Sequence, residues 1–119
     1  MISLPEEHEL IGFFEVEPVL LDGDVKPWVY NELTFTTQRN EDEITVKICA
    51  SYGEFLVNWK KNGKQLLQLK LIDLDGINVE MQKHDEFLTA SGMFSDHAVL
   101  LKLRLKPEVA VEFEQQCIR

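Results

Sequence analysis

From Leu33 to Phe113, apolar residues recur at every second position, in run after run. The runs are Leu33-Phe35-Thr37, Ile44-Val46-Ile48, Phe55-Val57-Trp59, Leu67-Leu69-Leu71, Ile77-Val79-Met81, Val99-Leu101-Leu103-Leu105 and Val109-Val111-Phe113. Between them stand polar residues such as Thr34, Thr45, Lys47, Asn58, Gln68, Asn78, Lys102 and Glu112. Successive side chains on a strand point to opposite faces, so this period marks half-buried strands. A strand slipped by one residue would turn its whole apolar set into water. The pattern therefore constrains each connection as well as each strand.

In an antiparallel pair, directly opposed residues share a face, which gives every loop a testable parity. A loop at Arg39-Asn40-Glu41-Asp42 pairs Phe35 with Val46 and Leu33 with Ile48. A similar loop at Ser51-Tyr52-Gly53-Glu54 is expected to pair Ile48 with Val57 and Ala50 with Phe55. At Asn62-Gly63 a two-residue turn would set Trp59 against Leu66 and Val57 against Gln68. A three-residue loop with Gly63 in a left-handed bulge keeps the apolar phase instead, and is expected on burial grounds, pairing Val57 with Leu67 and Phe55 with Leu69. Leu74-Asp75-Gly76 is expected to act as another turn, pairing Leu71 with Val79. Met93–Asp96 is expected to be a connection and Gln115–Arg119 a fraying tail. Pro107-Glu108 could open a helix, but the valines and the alternation of Val109-Val111-Phe113 favour a strand.

The N-terminal third breaks this rhythm. Leu10–Val16 is expected to form a strand with apolar groups on both faces, ended by Pro18. Asp22-Gly23-Asp24 is a turn, and Lys26-Pro27-Trp28 is extended because the residue before proline is pushed to the β region. Cys49, Leu56, Leu66, Ile72 and Leu100 fall on the polar phase, so the N-terminal segment is expected to cover that outer face. The fold expected is an all-β, single-domain antiparallel meander of about eight strands over residues 1–119. It would twist toward a barrel or a two-layer sandwich, with the N-terminal segment covering an edge.

Charge is the second constraint. The 119 residues carry a net charge of −9. Residues 1–43 hold eleven acids against Lys26 and Arg39, so the remainder is neutral. No basic stripe exists to release phosphate counterions, which argues against nucleic acid as a partner. No apolar stretch approaches the length of a transmembrane helix, and the acidic opening does not resemble a secretion signal. A cytoplasmic setting with reduced thiols at Cys49 and Cys117 is the expectation.

Chemistry-bearing motifs are sparse. His8, His84 and His97 lack metal-ligand spacing, no serine lies in a nucleophile elbow, and the six glycines never cluster into a phosphate loop. A hydrolase built on His84-Asp85 or Asp96-His97 would need both partners of a pair brought together in a loop. Asp73-Leu74-Asp75-Gly76 lacks the later ligands of a calcium loop. No catalytic residue, metal or cofactor is expected.

These observations point to a non-enzymatic protein-binding module whose acidic N-terminal face meets a basic protein partner. The residues are Glu6, Glu7, Glu9, Glu15, Glu17, Asp22 and Asp24, with Trp28 and Tyr30 as aromatic anchors. An inhibitor or immunity-type protein is the concrete version. The alternative is a β-barrel binding a small apolar ligand, which the bulk of Phe35, Phe55, Trp59, Met81 and Phe113 on the inner face opposes.

Overall fold

The computed structural model describes residues 3–21, 23, 28–82, 85–94 and 96–117. The chain forms one helix, α1 (Glu7–Phe14), and nine strands among these residues: β1 (Val19–Leu20), β2 (Glu32–Arg39), β3 (Asp42–Cys49), β4 (Glu54–Lys61), β5 (Lys64–Leu71), β6 (Leu74–Gln82), β7 (Asp85–Phe94), β8 (His97–Arg104) and β9 (Ala110–Cys117). They make two antiparallel sheets, β1-β2-β3-β4-β5 and β6-β7-β8-β9, each a meander of sequence neighbours. The sheets do not close into a barrel, which removes the structural basis of the ligand-barrel alternative.

Burial follows the alternation. Leu33, Phe35, Ile44, Val46, Ile48, Phe55 and Val57 from the first sheet share one core with Ile77, Leu88, Ala90, Leu101 and Leu103 from the second. Leu69, Val79, Val99, Val111 and Trp59 pack half-buried against it. Two apolar sheet faces laid on each other solve a problem that one nine-stranded meander could not, since its inner face would have no cover. That is why the expected Leu71–Val79 pairing does not form. The chain leaves the first sheet at Leu71 and turns at Asp73, which has a φ of 56°. It enters the second at Leu74, whose N–H donates to the Gly53 carbonyl at 3.1 Å. Leu74-Asp75-Gly76 is thus the start of β6, and carries an irregularity opposite Gly92 and Ser91.

Two turns differ from the expected ones by a shift of two residues, which preserves every face. The β2–β3 hairpin pairs Phe35 with Val46 and Leu33 with Ile48 as expected. After β3, residues Ala50–Tyr52 wind into a 3-10 turn closed by Gly53 at φ 64°. This takes Ala50 out of the ladder, so Ile48 opposes Phe55, Val46 opposes Val57, and Cys49 opposes Glu54. At Asn62-Gly63 the two-residue turn does form, with φ of 52° and 79° at the two central positions, the primed geometry that matches strand twist. The phase is corrected further along instead. Lys60 opposes Gln65 but Trp59 opposes Leu67, so Leu66 is the extra residue of a bulge and is 50% exposed. Local turn chemistry and burial are both satisfied.

At the other end of the chain, β7 runs on to Phe94 where a connection was expected, and Gln115–Cys117 belong to β9 rather than to a frayed tail. Met81 and Phe113 keep the inner phase but sit at a strand end and an edge, 66% and 43% exposed.

The largest departure from expectation is α1. Leu10, Phe13 and Phe14 fall at i, i+3, i+4, one helical stripe, and all three are buried. Glu9 accepts the Glu6 N–H at 3.1 Å, the reciprocal arm of a capping box. Acids in the first turn also suit the positive end of the helix dipole. The stripe packs inward, touching β2, β6 and β7, with the Phe14 ring stacked on Phe35. It is therefore spent on the core, not on the outer apolar positions, and Leu66 and Ile72 remain about half exposed. The N-terminal segment does cover edges: β1 pairs with β2, and Ser3 bridges to Gly76 at the start of β6.

Candidate partner-binding surface

Eight of the eleven acids of residues 1–43 fall into three groups with different fates, while Glu32, which opens β2, shares a hollow with Lys47 and Lys70. Glu6, Glu7 and Glu9 cluster on the first turn of α1 and are exposed. Glu17, also exposed, follows the helix and precedes β1. No cation faces these four in any ion pair found among the described residues.

Glu15 behaves differently. It caps the C-terminal end of α1 in the left-handed conformation, and its carboxylate pairs with both Arg39 and Lys106. Hydrogen bonding from Lys106, then from Arg39, holds its carboxyl down at about 2. Glu15 thus ties the helix to the end of β2 and to the segment after β8, and its charge is already answered.

Glu41, Asp42 and Glu43 form the third group, at the β2–β3 tip. Asp42 lies opposite Lys61 and Glu43 opposite Lys60, and Asp42 accepts the Trp59 indole N–H at 2.9 Å. Asn62 of the neighbouring hairpin donates its backbone N–H to the Glu41 carbonyl at 3.0 Å. Lysines stand opposite two acids of this cluster on the neighbouring strand, whereas among the described residues no base is placed opposite Glu6, Glu7, Glu9 or Glu17.

Asp22 and Asp24 lie outside the described residues, as do Lys26, Pro27 and His84. Trp28 is in a 3-10 turn, Trp28–Tyr30, rather than extended. Its ring meets Phe35 edge-on at 6.4 Å, so it is half-buried against the core. Tyr30 is 59% exposed and is the open aromatic of the pair. The sequence reading missed Arg39 and Lys106 as partners of Glu15. The signal available was that Arg39 is one of only two bases in the acidic third.

His8 is exposed on α1, and His97 begins β8 beside the exposed Asp96. Among the described residues, no three His, Cys, Asp or Glu side chains are grouped as metal ligands. Hollows lie on the sheets' outer faces. One is lined by Glu32, Lys47, Cys49, Glu54, Leu56 and Lys70. Another, of about 370 Å³, has Asp75, Leu100 and Glu114 in its wall.

No protein-family model matches this sequence, and no curated protein is similar to it. Among solved structures, it is similar to a chain of a contact-dependent growth inhibition toxin–immunity protein complex from Klebsiella pneumoniae 342. The two superpose with a TM-score of 0.85 over 97% of each chain, at 15% sequence identity. The two share a fold. Identity this low leaves the surfaces free to differ, so likeness of partner is a separate question.

Proposed function

We propose that this chain is an immunity-type binding protein that neutralises a basic protein partner, acting in the cytoplasm through the acidic surface around α1. The observation that carries this reading is the fold likeness, over nearly the full length of both chains, to a chain of a toxin–immunity complex. The charge distribution supports it independently. Glu6, Glu7 and Glu9 are exposed at the start of a helix whose other side is locked in the core, and Glu17 is exposed just after it; none of the four is in an ion pair among the described residues. Tyr30 is the aromatic anchor of the surface, Asp22 and Asp24 add charge from the same stretch of sequence, and Trp28 and Glu15 act from beneath by holding the scaffold.

The physics of such a surface is fast, steered capture. A concentrated negative field accelerates encounter with a cation more than it deepens the final complex. A preformed site on rigid elements also avoids paying ordering entropy at the moment of binding.

The test is co-purification with a cationic, toxin-like protein encoded beside the chain's own gene, at low and high salt. A complex that forms at low salt and weakens as salt rises supports the proposal. The absence of any such complex, or one indifferent to salt, rejects it.

A further inference from the structure

Among the described residues the two open sheets have four edges, and three of them carry a guard against further pairing along at least part of their length. β1 is two residues long. The start of β6 is occupied by Ser3, whose N–H donates to the Asp75 carbonyl at 3.2 Å and whose carbonyl accepts the Ile77 N–H at 2.9 Å. β5 begins at Lys64, ends near Lys70 and is interrupted by the Leu66 bulge. Short edges, lysines and bulges are the usual devices that keep edges apart.

β9 has none of them. Its eight residues pair with β8 without a register shift, from Arg104–Ala110 to His97–Cys117. It is the terminal strand of its sheet, and Glu112 through Cys117 are exposed. It contains no lysine, proline or glycine. Phe113, on the inner phase, is 43% exposed at the open margin of the core, where an added strand would cover it.

The charges on β9 decide what that strand can be. Glu112 and Glu114 both lie on the outer phase. A second copy joining edge to edge must match inner phase to inner phase, which allows only registers pairing even-numbered residues with even-numbered ones. The registers centred on Glu112, Phe113 or Glu114 therefore set glutamate against glutamate, and directly opposed like charges destabilise a ladder. A strand with basic residues on its outer phase and apolar ones on its inner phase meets no such barrier. The hollow beside β9 brings Asp75 and Glu114 together with Ala98, Val99 and Leu100, a lining of acids and apolar groups that suits a long basic side chain.

We propose that β9 is a strand-addition site for an extended segment of the protein partner that alternates basic and apolar residues, with Glu112 and Glu114 admitting that strand and refusing a second copy. The proposal deepens the binding reading above and rests on it for the partner's basic character. Main-chain hydrogen bonds would supply affinity and alternate side chains specificity.

The experiment uses the full chain, isotope-labelled, titrated with a blocked peptide of about seven alternating Lys and Val residues, a typical strand length, and with its Glu/Val counterpart. The expected result is slowed amide exchange confined to β9 with the Lys/Val peptide. In Glu112→Lys/Glu114→Lys, with its fold checked by circular dichroism because Glu112 stands opposite Lys102 on β8, the Lys/Val peptide should bind at least about tenfold more weakly and the Glu/Val peptide should take its place. In Glu114→Lys alone, which adds no lysine opposite Lys102, the same preference should shift in the same direction. Protection centred on α1 or β5, no binding, equal affinity in the variant, or a wild-type dimer protected along β9 would each overturn the proposal. The expected protection of β9 and its loss in the β9 variant do not depend on the α1 acids. A salt-sensitive partner unaffected by the β9 variant would leave the acidic-surface reading standing while removing this one.

Discussion

Phe14 stacks on Phe35 with ring centroids 4.4 Å apart and planes inclined by only 17°. Phe13 meets the Phe14 ring edge-on at 5.0 Å. Through these contacts the acidic helix becomes part of the sandwich core instead of an arm, and the carboxylates on its first turn gain a fixed position.

Phe14→Ala should therefore behave as a core truncation. A loss of about 3–5 kcal/mol is expected in urea unfolding. A loss below about 1 kcal/mol, the range of surface positions, would mean that α1 is not seated as described.

Gly92 on β7 is needed for close approach of the chain. A Cβ there would stand 2.9 Å from Leu74 Cα and 3.0 Å from the Asp73 carbonyl oxygen, both backbone atoms at the crossing between sheets. Gly92→Ala is expected to cost about 1–3 kcal/mol by overpacking, read from the same unfolding curves. Gly12, where an added Cβ meets nothing within 4 Å, provides the control, and the helix-favouring Gly12→Ala should be neutral or stabilising.

Glu15 makes stability depend on pH in a defined window. Its carboxyl is held at about 2 in the folded chain, against an ordinary value of 4.5. A lowered folded value means that the contribution is present above 4.5 and is lost as pH falls from there toward 2. Wild type should therefore lose more stability than Glu15→Gln across that window, with the two converging at its acid end. Parallel curves, followed by urea midpoints, would show that the pairing with Lys106 and Arg39 contributes nothing in solution.

A single charge reversal on β9 should create a contact that the native strand refuses. In the register that pairs Phe113 with itself, Glu112→Lys sets the introduced ammonium against Glu114 of the second copy at two symmetric places. Sedimentation should show dimer for Glu112→Lys and monomer for wild type and for Glu112→Lys/Glu114→Lys, where lysine opposes lysine. Identical behaviour of all three proteins would contradict the edge argument.

Much of this architecture was legible in the sequence because a strand's side-chain period is two. Val46, Val57, Leu69 and Val79 face the core as the alternation requires, even though two hairpins have registers shifted by two residues. An even shift leaves faces untouched, so periodicity alone cannot detect it. The crossing at Ile72–Asp73 was invisible for the same reason, since alternation is identical on either side. The helix was misread because Leu10–Val16 contains two phenylalanines and a valine, residues that favour strands, while the i, i+3, i+4 stripe occupies only one turn. The acidic character of the site could be read from charge alone, but its partition could not. The partners of Glu15 lie 24 residues away, at Arg39, and beyond β8, at Lys106. Only the fold reveals that one carboxylate of the set is already neutralised.

The central claim is that the exposed carboxylates at the start of α1 and just after it steer capture of a cationic protein. Its most direct test is the association rate constant of the co-purifying partner with the native chain and with Glu6→Lys/Glu7→Lys/Glu9→Lys/Glu17→Lys, at about 50 mM and about 500 mM salt. The account predicts an association rate at low salt at least about tenfold faster for the native chain, a gap that narrows as salt rises. Equal rates for the two proteins at low salt would contradict it.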